Sequence, residues 1–173
     1  FVKKLNEFIG DKYYLISGDD GLFIKYISDI DINNKDIMKT NMLEKINEYK
    51  NRDILYGSTN IGPHKDNFMF YLNDNNLSMY GSQGQLKMSI LALKLAEIDV
   101  FNNITGESPI LLLDDIFSEL DIEKRNKLIN LIQNGVQTIM TTTDLSEIDE
   151  NLIKIANIYV IENGKVIEKI DNN

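Results

Sequence analysis

A chain of 173 residues with 43% hydrophobic and 26% charged content is long enough for one domain with its own core and lacks the bias of a disordered sequence. The net charge of −9, with Arg52 and Arg125 the only arginines, argues against a broad basic face and leaves few guanidinium forks for reading bases or clamping phosphates. The absence of cysteine excludes a disulfide framework or thiolate metal site and fits the cytoplasm, and no apolar run reaches the length of a membrane span.

Phe1, not methionine, opens the chain, so a longer parent protein is expected. Residues 12–30 alternate around Gly18-Asp19-Asp20-Gly21, with Tyr13 and Leu15 before it and Leu22, Ile24 and Tyr26 after it, which predicts a hairpin or two short strands. Asn34 or Asp36 is expected to cap a helix running to about Lys50, with Ile37, Leu43 and Ile46 among its apolar positions. A β region comes next: Phe68 to Leu72 is strand-like, and Asn73-Asp74-Asn75-Asn76 is a polar turn before Leu77-Ser78-Met79-Tyr80. From Gln85 to Phe101 the pattern is helical and largely buried, with Leu86, Ile90, Leu91, Leu93, Leu95, Ile98 and Phe101 making a wide apolar face.

Ile110 to Leu113 is an unbroken aliphatic run, read as a strand covered on both faces. A helix from about Ile122 to Gln133 and a strand from Gln137 to Thr141 continue an αβαβ order with short connections, which predicts an α/β fold with a largely parallel sheet and flanking helices. Asn163-Gly164 between two apolar strands, within residues 157–170, predicts a terminal hairpin on a type I′ turn. With no internal linker, residues 1–173 read as a single lobe.

Chemistry concentrates in two places. Asp114 and Asp115 stand at the carboxyl end of the aliphatic strand, where open α/β sheets place ligands. A hard cation held by one carboxylate and by phosphate oxygens is the simplest use for them, so a magnesium-nucleotide site is the first reading; the same acids would also serve merely to end a strand and cap a turn. In the second place, Ser82 and Gly84 precede the long helix, where a hydroxyl and backbone N–H groups form either an anion site or only a helix cap. His64, the only histidine, lies in Gly62-Pro63-His64-Lys65-Asp66, and a turn imidazole satisfied by its own loop is the default there.

The run YGSQGQLKMSILALKLAEI, followed by PILLLDDIFSELD and QTIMTTTD, resembles the carboxyl-terminal part of the RecF family, DNA replication, repair and recombination ATPases of the ABC and SMC-like head group. GSTNIGPHKDNF, residues 57 to 68, resembles that family's Gly-Pro-His-basic-Asp segment, and the likeness is closest from Asp53 to Asp144. By position the resemblance implies that Ser82, Gln83, Gly84 and Gln85 are the signature motif, Asp114 the Walker B ligand of Mg2+, Asp115 the catalytic carboxylate and Ser118 to Asp121 the D-loop. Where many such heads carry a switch histidine this chain has Thr141-Thr142-Thr143-Asp144, so Thr143 or Asp144 is expected near the γ-phosphate of ATP.

The resemblance also implies an ATP-dependent homodimer, DNA at single-strand/double-strand junctions, and the RecO and RecR proteins as partners. No G-x-x-x-x-G-K-[ST] stretch occurs, so this lobe is expected to lack the Walker A half and to be inactive alone. Another SMC-like head or a non-catalytic interaction module are the alternatives.

Overall fold

The structure, a computed structural model, describes residues 1–32, 34–132, 135–145 and 148–172. They divide into two compact units: residues 1–14 with 19–96, and residues 15–18 with 97–173.

The first unit is organised by an antiparallel sheet. Strand β1 (Leu22–Ile27) pairs along its whole length with β2 (Asn67–Leu72), from Leu22 opposite Leu72 to Ile27 opposite Asn67. Asn73 and Asp74 both take positive φ (48° and 68°), the geometry of a tight primed turn, and lead into the two-residue β3 (Asn75–Asn76). The expected polar turn is therefore present. After it the chain makes one helical turn, α4 (Leu77–Tyr80), because the Asn76 side chain accepts from Ser78 N–H and caps it.

The expected hairpin before β1 is not formed. Residues upstream make two helices, α1 (Val2–Asn6) and α2 (Ile9–Ser17). Ile9, Tyr13 and Ile16 recur at spacings of four and three and are all fully buried, so helical periodicity overrides the local alternation of Tyr13 and Leu15, of which Leu15 is exposed. Asn6 then pins α1 to the sheet, its amide donating to Ile24 O (2.9 Å) and its oxygen accepting from Ile24 N–H (2.8 Å).

Helix α3 (Lys35–Tyr56) begins at the expected cap, with Asn34 Oδ1 accepting from Asp36 and Ile37 N–H. It continues six residues beyond Lys50 to Gly57, whose left-handed conformation (φ 65°) ends it. None of its described side chains is buried, and Ile37 and Leu43 are half exposed. Helix α5 (Gln83–Thr105), within which the boundary between the units falls, buries Met88, Leu91, Ala92, Leu95, Ala96, Ile98 and Val100 and leaves Ile90 and Phe101 exposed.

In the second unit β4 (Leu111–Asp114) pairs in parallel with β5 (Thr138–Thr141), so an α/β arrangement with a parallel sheet is present. A 3-10 turn (Ile116–Glu119) and α6 (Ile122–Ile132) connect them; the expected helix end, Gln133, lies outside the described residues. Phe117, Leu120, Leu128, Ile129 and Ile132 are buried along this connection. After α7 (Glu150–Ile153), β6 (Ile158–Glu162) and β7 (Lys165–Ile170) form the terminal hairpin, with positive φ at both Asn163 and Gly164.

One expectation about β4 fails. Leu111 and Leu113 are buried, but Ile110 and Leu112 are 56% and 69% exposed, so the aliphatic strand is covered on one face only. Leu113→Ala should therefore cost about 2–5 kcal/mol of unfolding free energy, whereas Leu112→Ala in the same chain should cost under about 1 kcal/mol. Urea denaturation of the two variants checks this, and equal losses would contradict a one-sided strand.

Candidate nucleotide site

Register places the acids. Asp114 is the last residue of β4 and lies opposite Thr141, the last of β5. The Thr141 hydroxyl donates to Asp114 Oδ1 (2.5 Å) and accepts from Asp115 N–H (3.1 Å), a combination that one hydroxyl can satisfy in full. Asp115 itself is left-handed (φ 47°, ψ 30°), an uncommon state for a side-chain-bearing residue that turns the backbone out of the strand. Ser118 Oγ reaches both Asp115 O (2.9 Å) and Asp115 Oδ2 (3.1 Å), so its single hydrogen is shared between them. The result is an exposed pair of carboxylates, one tied to the neighbouring strand and the other to the turn after β4.

Asp121 ends that turn. Its Oδ1 accepts from Lys124 N–H (2.9 Å), making it the cap of α6, and its Oδ2 pairs with Lys124 Nζ. The Lys124 ammonium first, and the Lys124 N–H second, hold the Asp121 carboxyl below the usual carboxylate range. Thr142 and Asp144 are engaged with each other: Thr142 Oγ1 donates to Asp144 O (3.1 Å) and accepts from Asp144 N–H (3.2 Å), while Thr143 is exposed. The structure thus gathers Asp114, Asp115, Ser118 and Thr141, the Thr141 hydroxyl bonding to both acids. Nothing in the sequence singles Thr141 out, since a threonine at a strand end is ordinary until the parallel register is known.

In the first unit, Ser82 to Gln85 form a reciprocal capping box. Ser82 Oγ accepts from Gln85 N–H (3.2 Å) and Gln85 Oε1 accepts from Ser82 N–H (2.9 Å). The N–H groups of Gln83 and Gly84 belong to the first turn of α5, whose donors have no intrahelical acceptor. Two glycines here differ in cause. A Cβ at Gly81 would lie 2.5 Å from Leu77 O, so packing demands glycine, whereas at Gly84 the nearest atom is Ser82 Oγ at 3.9 Å and packing demands nothing. His64 is satisfied as expected, its Nε2 lying 2.9 Å from Thr59 O.

For Mg2+ the donor set is partial but suitable. An exposed carboxylate oriented through one oxygen matches a hard cation that completes its shell with phosphate and water oxygens. Among the described residues no group of three or more His, Cys, Asp or Glu could hold a metal alone. Among them, too, no helix is long and apolar enough to cross a membrane.

The parallel strand ending in two acids, the amino-capped helix of 23 residues and the terminal hairpin belong to a fold that matches a lobe of an ATPase head of known structure. The chain is 41% identical over 169 residues to the DNA replication and repair protein RecF of Listeria innocua, a match spanning 96% of this chain and 46% of that protein. It is 39% identical over 171 residues to RecF of Enterococcus faecalis, with the same coverage. A solved structure of the recombination mediator protein RecF-ATPrS in the RecFOR pathway superposes with a TM-score of 0.75 at 27% identity, over 98% of this chain and 44% of that one; a RecF-ATP structure gives 0.74 at 26% identity, with the same coverage. No family model matches the chain. The chain is similar over nearly its whole length to RecF proteins and spans about half the length of the curated relatives it matches.

The Asp121 geometry makes a pH prediction. Because its folded pKa lies below the unfolded value, its stabilising contribution is complete above the unfolded value and is lost as pH falls through the folded one. Thermal unfolding of the wild type should therefore lose stability below about pH 4 more steeply than that of Asp121→Asn, which keeps a neutral cap. Parallel pH profiles would show that the Lys124 contact contributes nothing in solution.

Proposed function

We propose that this chain is the carboxyl-terminal lobe of a RecF-like DNA repair ATPase in which ATP acts as a dimer clamp. The observation that carries the reading is the exposed pair Asp114 and Asp115 at the carboxyl end of a parallel strand, in a chain similar to RecF over nearly its whole length. Asp114, with one oxygen tied to Thr141, holds Mg2+, which when bound supplies charge stabilisation at the phosphates. Asp115 orients and deprotonates the attacking water. Its side chain is a methylene shorter than the glutamate common at this position, and its left-handed backbone sets where that shorter side chain projects.

Ser82, Gln83, Gly84 and Gln85 serve as the signature that meets the γ-phosphate held by the opposite subunit. Two features support this. The capping box uses the Ser82 oxygen as acceptor, which leaves its proton for a phosphate oxygen. Gly84 is required by no contact among the described residues, and glycine costs a helix about 1 kcal/mol relative to alanine, so close approach from outside the chain accounts for it. Asp121 belongs to the D-loop while also capping α6, and Thr143 and Asp144 border the γ-phosphate.

The phosphate loop comes from the rest of a longer protein, which also covers the exposed apolar face of Ile110, Leu112 and Ile139. The lobe alone turns over no ATP. Loading of recombinase at DNA gaps and single-strand/double-strand junctions, with RecO and RecR, in the cytoplasm, completes the reading; two related structures belong to the RecFOR pathway.

In the full-length protein Asp115→Asn should retain MgATP binding and ATP-dependent dimerisation while single-turnover hydrolysis falls by about two to four orders of magnitude. Unchanged hydrolysis would place the water-activating group elsewhere and remove the basis for this assignment.

A further inference from the structure

Thr141 touches both acids at once, and it does so from a different strand. We propose that Thr141 is a positioning residue of the nucleotide site, acting through Asp114 on the cation and through Asp115 on the water; the inference rests on the ATPase reading of those two acids.

The Thr141 hydroxyl has one hydrogen, and it is donated to Asp114 Oδ1, with the two oxygens 2.5 Å apart. The terminal torsion of an aspartate is broad and roughly two-fold, so a carboxylate without such a partner samples many orientations, and each cation-binding event must select one. Tying Oδ1 to the neighbouring strand fixes the plane of the carboxylate and presents Oδ2 in a constant direction. The lone pair on the same hydroxyl takes the Asp115 N–H at 3.1 Å, just beyond the β4–β5 ladder, which ends at Asp114 opposite Thr141. That bond holds the amide of a residue at φ 47°, an uncommon conformation that aspartate adopts more readily than most residues.

One hydroxyl therefore couples the direction of Asp114 to the turn that aims Asp115. The neighbouring Thr142 and Asp144 close a local turn on each other. Threonine suits the position twice, being β-branched for the strand and hydroxylated for the acids.

Valine matches threonine in shape and strand preference but has no hydroxyl, and serine keeps the hydroxyl without the methyl. The pair separates positioning from packing. In the full-length protein Thr141→Val should raise the Mg2+ concentration for half-maximal ATP hydrolysis by about 10–100-fold, the usual consequence of removing a partner of a metal ligand. Thr141→Ala should do the same, and Thr141→Ser should restore the value to near that of the wild type. A second readout needs no nucleotide: in the 173-residue chain the Asp115 amide should exchange its hydrogen faster in Thr141→Val and at the wild-type rate in Thr141→Ser. A wild type that hydrolyses ATP, set beside hydroxyl-less variants with unchanged Mg2+ dependence, would overturn the positioning role alone. Failure of serine to restore the value would do so too, by showing that the hydroxyl is not the agent. A wild type without Mg2+-dependent hydrolysis would remove the ATPase reading and this inference with it.

Discussion

The parallel pairing of β4 with β5 is the constraint on which the second unit depends. It fixes Asp114 opposite Thr141, and a slip of one residue would turn Asp114 to the other face and bring Leu113 out of the core. The buried members of the strand, Leu111 and Leu113, set that register through hydrophobic burial, at about 25 cal/mol for each Å2 of apolar surface removed from water. Core packing and site geometry are thus one specification: the residues that must go inside determine where the carboxylates stand outside.

The first unit solves a different problem with equally local means. The capping box of Ser82 and Gln85 starts the 23-residue α5 at a defined residue and leaves the first-turn N–H groups of Gln83 and Gly84 pointing out of the helix end. The cap and the proposed phosphate-facing role are compatible, because capping uses acceptor capacity on Ser82 and anion binding uses donors. Among the described residues no contact requires Gly84, in contrast to Gly81, which a Cβ would push into Leu77.

The features legible in the sequence are local. The Asn34 cap, the Asn163-Gly164 turn and the strand ending in Asp114 each depend on a few adjacent residues, and each is present. The features that are not legible depend on partners far along the chain. Tyr13 and Leu15 alternate as a strand would, and only the burial of Ile9, Tyr13 and Ile16 on one face shows the helix. β1 finds its partner β2 40 to 50 residues away, from Ile27 with Asn67 to Leu22 with Leu72, so a hairpin with its nearest neighbour is the simpler expectation. Thr141 is inconspicuous for the same reason, its importance arising from the residue that the register sets beside it 27 positions earlier.

The central claim is that this lobe contributes to two nucleotide sites, supplying acids to its own and a signature to its partner's. Mixing full-length Ser82→Arg, which blocks the signature sterically, with full-length Asp115→Asn tests it most directly, once a tagged pull-down with ATP has established that mixed dimers form. One composite site then combines intact acids from the first variant with an intact signature from the second, and the other site carries both lesions. The account predicts ATP hydrolysis by the mixture above that of either variant alone. Mixed dimers that form and turn over no faster than the separate variants would contradict it.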